Sequence, residues 1–212
     1  MEKIIFDSTT HVYKTKLNYI EFKDELLIKC NQIVSNQPNV KTDGFGYIME
    51  AKNINFLGKI DINHKLDEIA QHCINECIKL YEADGNIYNR VFTDGWVNVV
   101  RAKNPVQLNF YNEKQKYHVH TDINKTMGFF TPAYTYVYYI QMPDNLVNDD
   151  GVLYIQSETK EEYQILPNED DLIIMSADLP HTPQVSPNST KDRIVLAGNV
   201  GFEYIKKENS LI

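Results

Sequence analysis

The sequence predicts a mainly β protein of the α+β kind, an antiparallel sandwich or barrel with helices packed on one side. Three observations carry this expectation. Two segments in the first 95 residues repeat their apolar side chains every three or four positions, as helices do. After about residue 95 the texture changes to short alternating or β-branched runs. Turn signals separate those runs, as in Pro143-Asp144-Asn145, Asp149-Asp150-Gly151 and Pro167-Asn168-Glu169-Asp170. Helices first and many strands afterwards make a β core with helices against one face.

Residues 1–17 read as a strand followed by a turn or second strand. Asn18 to Val34 reads as a helix whose stripe is Tyr19, Phe22, Leu26, Cys30 and Ile33. The stretch Ser35–Phe45 is a loop, broken by Pro38 and Gly44. A clearer helix spans about Lys65 to Glu82, with Leu66, Ile69, Ala70, Cys73, Ile74, Cys77, Ile78 and Tyr81 on one face. Asp84-Gly85 ends it. His72 falls on its polar side and is expected in solvent. The strands that follow are Trp96–Arg101, Pro105–Tyr111, Tyr117–Thr121, Tyr134–Met142, Val152–Gln156, Tyr163–Leu166, Asp171–Ser176, His181–Val185 and Arg193–Tyr204. No repeat, linker or low-complexity stretch divides them. One domain over 1–212 is expected, with helical support over about 1–95 and the β core over about 96–206.

Composition narrows the function. The chain has 212 residues, 42% of them hydrophobic and 24% charged, ordinary values for a globular protein that can bury its own core. Its formal net charge of −8, with no basic run, disfavours nucleic acid as a partner. No segment approaches the roughly 18 apolar residues of a membrane span. The start, Met-Glu-Lys-Ile-Ile-Phe-Asp, lacks the cationic lead and long apolar core of a signal peptide. Cys73 and Cys77, four apart on a helix stripe, read as buried free thiols. A reducing cytoplasm is the expected setting.

The chemistry concentrates at Tyr117-His118-Val119-His120-Thr121-Asp122. If this run is extended, its period of two puts His118, His120 and Asp122 on one face. Residues two apart lie roughly 6–7 Å apart and can share a metal, whereas residues four apart, at roughly 13 Å, cannot easily do so. His120 can therefore pair with either neighbour. His181, opening a later strand, is the outstanding third ligand. His120, Asp122 and His181 would form a two-histidine, one-carboxylate face with open positions, a set suited to non-heme Fe(II). Arg193 precedes Ile194-Val195-Leu196-Ala197-Gly198, so its stem enters the core and its charge needs an anionic partner, from the protein or from a ligand.

These residues resemble the Fe(II)/2-oxoglutarate-dependent dioxygenases, and most closely their prolyl-4-hydroxylase-like branch with its small phage and bacterial members. His120-x-Asp122, His181 and Arg193 look like the iron ligands and co-substrate arginine. Tyr111 and Tyr117 before the first histidine, Val137-Tyr138-Tyr139-Ile140, Asp150-Gly151-Val152-Leu153 and the Leu-Ile-Ile-Met-Ser run before His181 fit the same branch. The resemblance covers about Val97 to Tyr204. It implies a double-stranded β-helix, or jelly roll, with helices packed against one sheet. It implies Fe(II), 2-oxoglutarate and O2 as cofactor and co-substrates, and hydroxylation of a C–H bond of a small-molecule or peptide substrate with release of succinate and CO2. It makes Arg193, with Tyr139 and Tyr111, the co-substrate contacts. The stretch from His181 to Arg193 is longer than the family pattern, leaving Lys191 as a second candidate for the co-substrate carboxylate.

His118 departs from that pattern. With His120 it makes the His-x-His that opens a cupin metal site, and a cupin-like metal-binding module is the alternative. That motif continues with a glutamate four or five residues on, where this chain has Asn124 and Lys125. His118 is expected instead to line the substrate side or to meet solvent. The apolar stretch Ile123–Ala133, with Gly128 as a pivot, reads as a substrate lid or wall, or as an ordinary packing loop.

Overall fold

The computed structural model describes residues 1–35, 47–48, 65–100, 102, 117–120, 132–148, 150–184, 186 and 188–204. Within them the strands are β1 (Glu2–Ile5), β2 (His11–Lys16), β3 (Tyr47–Ile48), β4 (Tyr88–Val100), β5 (Pro132–Gln141), β6 (Leu153–Gln156), β7 (Glu162–Ile165), β8 (Asp171–Ser176), β9 (His181–Pro183) and β10 (Arg193–Tyr204). The helices are α1 (Lys23–Ser35), entered through a 3-10 turn at Ile20–Phe22, and α2 (Lys65–Ala83). Neither helix is long and apolar enough to cross a membrane.

The strands form a major sheet in the order β1-β2-β8-β5-β10-β4-β3 and a minor sheet in the order β7-β6-β9. Every pairing is antiparallel. The period of two sorts the major sheet's side chains between two cores. Tyr136, Tyr138, Ile140, Leu172, Ile174, Ile194 and Leu196 face the helices, where they meet Leu26 and Cys30 of α1 and Ile69, Cys73 and Cys77 of α2. Val137, Tyr139, Ile173, Met175, Val195 and Ala197 face the minor sheet, packing on Leu153, Ile155 and Ile165. Because both faces of the major sheet are covered, β8 and β10 read as nearly unbroken apolar runs. His120 and His181 are buried.

α2 forms where its stripe predicted, whereas α1 begins at Lys23 rather than Asn18, so Tyr19 and Phe22 of the expected stripe precede it. Leu66, Ile69, Ala70, Cys73, Ile74, Cys77 and Tyr81 of α2 are buried. Gly85, at φ 77°, ends the helix in the left-handed conformation its sequence position predicted. Tyr81 stacks on Phe202 of β10 with ring centroids 3.7 Å apart, fixing α2 to the sheet. The entry to α1 is held by Asp170, whose carboxylate accepts the Asn18 and Tyr19 N–H groups at 2.8 Å each and the Tyr138 hydroxyl at 2.9 Å. All three cysteines are free and buried, and burial pushes the Cys30 thiol up to about 12. His72 is not simply solvated: it lies 3.3 Å from the Tyr19 hydroxyl.

Three expectations are corrected. First, β4 begins at Tyr88, not near Trp96, and runs beside β10 from Tyr88↔Tyr204 to Val100↔Arg193. Its polar Asn89, Arg90 and Asp94 masked the alternation. Second, the strand and second strand read in residues 1–17 are present as β1 and β2, but they join the major sheet through β8, so the region about 1–95 is not helical support alone. Third, Tyr117–Thr121 is not a full strand in its described part: His118 makes one bridge to His181, and the chain bends at His120. The expected strand Pro105–Tyr111 and most of the Ile123–Ala133 stretch lie outside the described residues.

Candidate metal centre

Backbone pairing builds the site. The short strand β9 pairs with β6, setting His181 opposite Ile155. On its other side His181 exchanges two hydrogen bonds with His118, each N–H donating to the other's carbonyl at 3.1 Å. The bend then turns the His120 N–H onto the Ala177 carbonyl at 2.8 Å, anchoring His120 to the turn that follows β8. A histidine triangle results. Ring centroids are 4.3 Å apart for His118 and His181, 5.1 Å for His118 and His120, and 5.2 Å for His120 and His181. One ligand atom from each of the three lies within 4.8 Å of the others.

The electrostatics favour ligation. Burial lowers the His120 pKa to about 3, assisted by the neighbouring His118. Burial lowers His181 far below its ordinary value, with His118, His120 and Arg193 adding to the effect. Both rings are thus held neutral, the form in which imidazole binds a metal. The His181 Nδ1 lies 2.9 Å from the Leu179 carbonyl. With the proton assigned to that nitrogen, Nε2 is left to point a lone pair at the centre. Trp96 stacks on His120 at 5.4 Å, planes 25° apart.

Arg193 opens β10 on the interior side of the sheet. It is only 6% exposed, and its Cζ lies 5.4 Å from the Tyr139 ring centroid. Burial raises the Tyr139 phenol, while the guanidinium charge opposes that rise. Among the described residues neither Arg193 Nε nor Tyr139 Oη has a hydrogen-bond partner. A buried guanidinium nitrogen without a partner, beside a phenol that the same guanidinium stabilises, matches what a bound carboxylate would satisfy. Lys191 is exposed, whereas Arg193 is buried.

Of the sequence-derived site residues, His120 and His181 come together, and Arg193 and Tyr139 come together behind them. Asp122 and Tyr111 lie outside the described residues. His118, expected toward substrate or solvent, is brought into the histidine cluster. Trp96 was missed; an aromatic at an interior-facing strand position was its only signal.

Residues 106–201 match the 2OG-Fe(II) oxygenase superfamily. That superfamily's requirements are Fe(II), 2-oxoglutarate and O2, and the histidine cluster fits the iron. The protein is accordingly an oxidoreductase with a jelly-roll core. A prolyl-4-hydroxylase from Pseudomonas putida has a similar structure, at TM-score 0.57 and 11% identity over 93% of this chain and 90% of that one. A viral collagen prolyl hydroxylase from Paramecium bursaria Chlorella virus-1, solved with 2OG, is similar at TM-score 0.55 and 10% identity over 92% and 97%. No curated protein matches the chain in sequence. The oxygenase match begins inside the strand expected at 105–111 and ends within β10, so it contains every metal-ligand candidate and Arg193.

Proposed function

We propose that this oxygenase hydroxylates a C–H bond of a prolyl residue, a free amino acid or another small metabolite, releasing succinate and CO2. The supporting observation is the adjacency of two neutral, buried imidazoles and a buried guanidinium whose Nε is unpartnered among the described residues. His120, Asp122 and His181 are the proposed iron ligands, as the His-x-Asp…His spacing suggests. Arg193 is proposed to pair with the far carboxylate of 2-oxoglutarate, with Tyr139 and Tyr111 donating hydroxyl hydrogen bonds to it. Fe(II) and 2-oxoglutarate together supply the oxidative decarboxylation that activates dioxygen. The chain's own part is to hold two imidazoles neutral, to orient His181 through Leu179, and to keep Arg193 desolvated so that its pairing is strong. We place the activity on one domain spanning 1–212. The names of the structural relatives favour a prolyl residue among the substrate classes.

The test is anaerobic addition of Fe(II) and then 2-oxoglutarate to metal-free protein. A weak visible charge-transfer band is expected, absent in Asp122→Ala, together with 2-oxoglutarate-dependent succinate formation in air. Near-normal succinate formation by Asp122→Ala would remove Asp122 from the ligand set. Iron binding with no band would favour the cupin-like module.

A further inference from the structure

His118 lies outside the proposed ligand set, yet the backbone ties it to that set more closely than any other described side chain with metal-binding atoms. Its two hydrogen bonds with His181 make the pair directly opposed across an antiparallel bridge. Such a pair has Cα atoms about 5.5 Å apart and side chains on the same face. Its ring is nearer to His181, at 4.3 Å between centroids, than the two proposed imidazole ligands are to each other, at 5.2 Å. The ligand atoms of all three histidines lie within 4.8 Å of one another. Neighbouring donors on a first-row ion, each about 2.1 Å from the metal, are about 3 Å apart. Small rotations about the two side-chain torsions of each histidine close that difference.

We infer that His118 is a third, displaceable imidazole ligand, which holds the metal before the 2-oxo acid binds and yields its position when the acid chelates. This rests on the proposed iron and 2-oxoglutarate site. Displacement follows from counting positions. An octahedral ion offers six; the proposed triad takes three and a chelating 2-oxo acid two, and the last must stay open for reaction. His118 can be a ligand only while the chelate is absent. The surroundings fit a ligand that leaves. His120 is buried and anchored through its N–H to Ala177, and His181 is buried and oriented through Leu179. His118 is less buried than either of them. The chain thereby retains its metal between turnovers without a fixed fourth ligand blocking the co-substrate.

The experiment counts imidazoles. One equivalent of Cu(II), standing in for iron, is bound to the full chain, and pulsed electron paramagnetic resonance is recorded before and after 2-oxoglutarate binds. The wild-type count is expected to fall from three to two, and the His118→Ala count to be two throughout. Asp122→Ala is expected to keep three imidazoles without 2-oxoglutarate. Co(II) affinity without 2-oxoglutarate should drop at least about tenfold in His118→Ala, since even outer-shell losses cost that much. Two imidazoles in the wild type before 2-oxoglutarate, or three after it has bound, would overturn the inference. If His118→Ala does not fold, the two wild-type counts decide alone. Failure of the oxygenase reading looks different: no Fe(II) charge-transfer band with 2-oxoglutarate in either wild type or His118→Ala.

Discussion

The indole of Trp96 lies stacked against the imidazole of His120, centroids 5.4 Å apart and planes 25° from parallel. Trp96 is the only tryptophan in the chain, so the tryptophan emission comes from a ring in contact with one metal-binding candidate. Co(II) or Fe(II) bound at His120 should therefore quench most of the intrinsic tryptophan fluorescence, with a midpoint equal to the metal affinity. Trp96→Phe should abolish the signal and change metal affinity little. Trp96→Ala should weaken the metal about two- to tenfold, the equivalent of the 0.5–1.5 kcal/mol typical of an aromatic pair. Unquenched emission at saturating metal would place the ion elsewhere.

Arg193 should decide co-substrate affinity. Its guanidinium is buried beside Tyr139 with Nε unpartnered among the described residues, so a carboxylate arriving there meets a buried, charged donor. Truncating one member of such a desolvated pair costs about 2–5 kcal/mol. Arg193→Ala is expected to weaken 2-oxoglutarate by about 30-fold or more, while metal affinity measured without co-substrate stays near normal. Arg193→Lys should recover part of the loss, because it keeps the charge but not the planar fork. An unchanged 2-oxoglutarate requirement in Arg193→Ala would move the role to another cation.

Those two pairs also show what a sequence can reveal. The stripes of α1 and α2 and the apolar runs of β8 and β10 were legible because each face meets one kind of neighbour along its whole length. The meeting of His120 with His181 was legible in the order His-x-Asp…His, and the burial of Arg193 in the apolar run that follows it. The first half of β4 was hidden, since Asn89, Arg90 and Asp94 interrupt its alternation and its pairing with β10 is a long-range matter. His118 was misjudged for a related reason. What aims it at the metal cluster is a cross-strand bridge to a residue 63 positions later, and register between distant segments leaves no local mark. Trp96 against His120 is the same case.

Asp144 should act on the site from a distance. Its carboxylate accepts hydrogen bonds from the Ser189 hydroxyl at 2.9 Å, the Thr190 N–H at 2.6 Å, the Thr190 hydroxyl at 2.7 Å and the Lys191 N–H at 3.2 Å. This clamps the extended connection that leads into Arg193. The Thr190 hydrogen bonds, followed by those of Ser189 and Lys191, hold the Asp144 pKa well below its ordinary 3.8. A depressed acid stabilises the fold above its unfolded pKa, and the contribution is lost as pH falls through the folded value. The difference in thermal midpoint between wild type and Asp144→Asn should thus be constant above about pH 5 and shrink in stronger acid. Asp144→Ala should raise the 2-oxoglutarate requirement several-fold with metal affinity unchanged. A loss of metal affinity instead would mean that the clamp positions the histidines.

Gly198 tests the packing of Tyr136, which lies in the core beneath the helices. It sits in β10 between Gly95 of β4 and Tyr136 of β5. A Cβ there would lie 2.5 Å from the Tyr136 hydroxyl and would also overlap the Asp94 carbonyl. The hydroxyl belongs to a side chain, but the carbonyl cannot retreat. Asp94 is pinned by the Asn199 N–H at 2.8 Å, and Asn199 in turn accepts from the Thr135 hydroxyl at 2.8 Å. Gly198→Ala should therefore destabilise the protein by about 3 kcal/mol or more, at or beyond the upper end for overpacking. The measurement is the urea midpoint at fixed slope. Adding Tyr136→Phe removes the hydroxyl clash but leaves that with the ring Cζ, 2.6 Å away, and that with the carbonyl, so the double variant should recover only a minor part. Full recovery would show that β4 and β10 can part at this point, and that the tyrosine alone reserves the space.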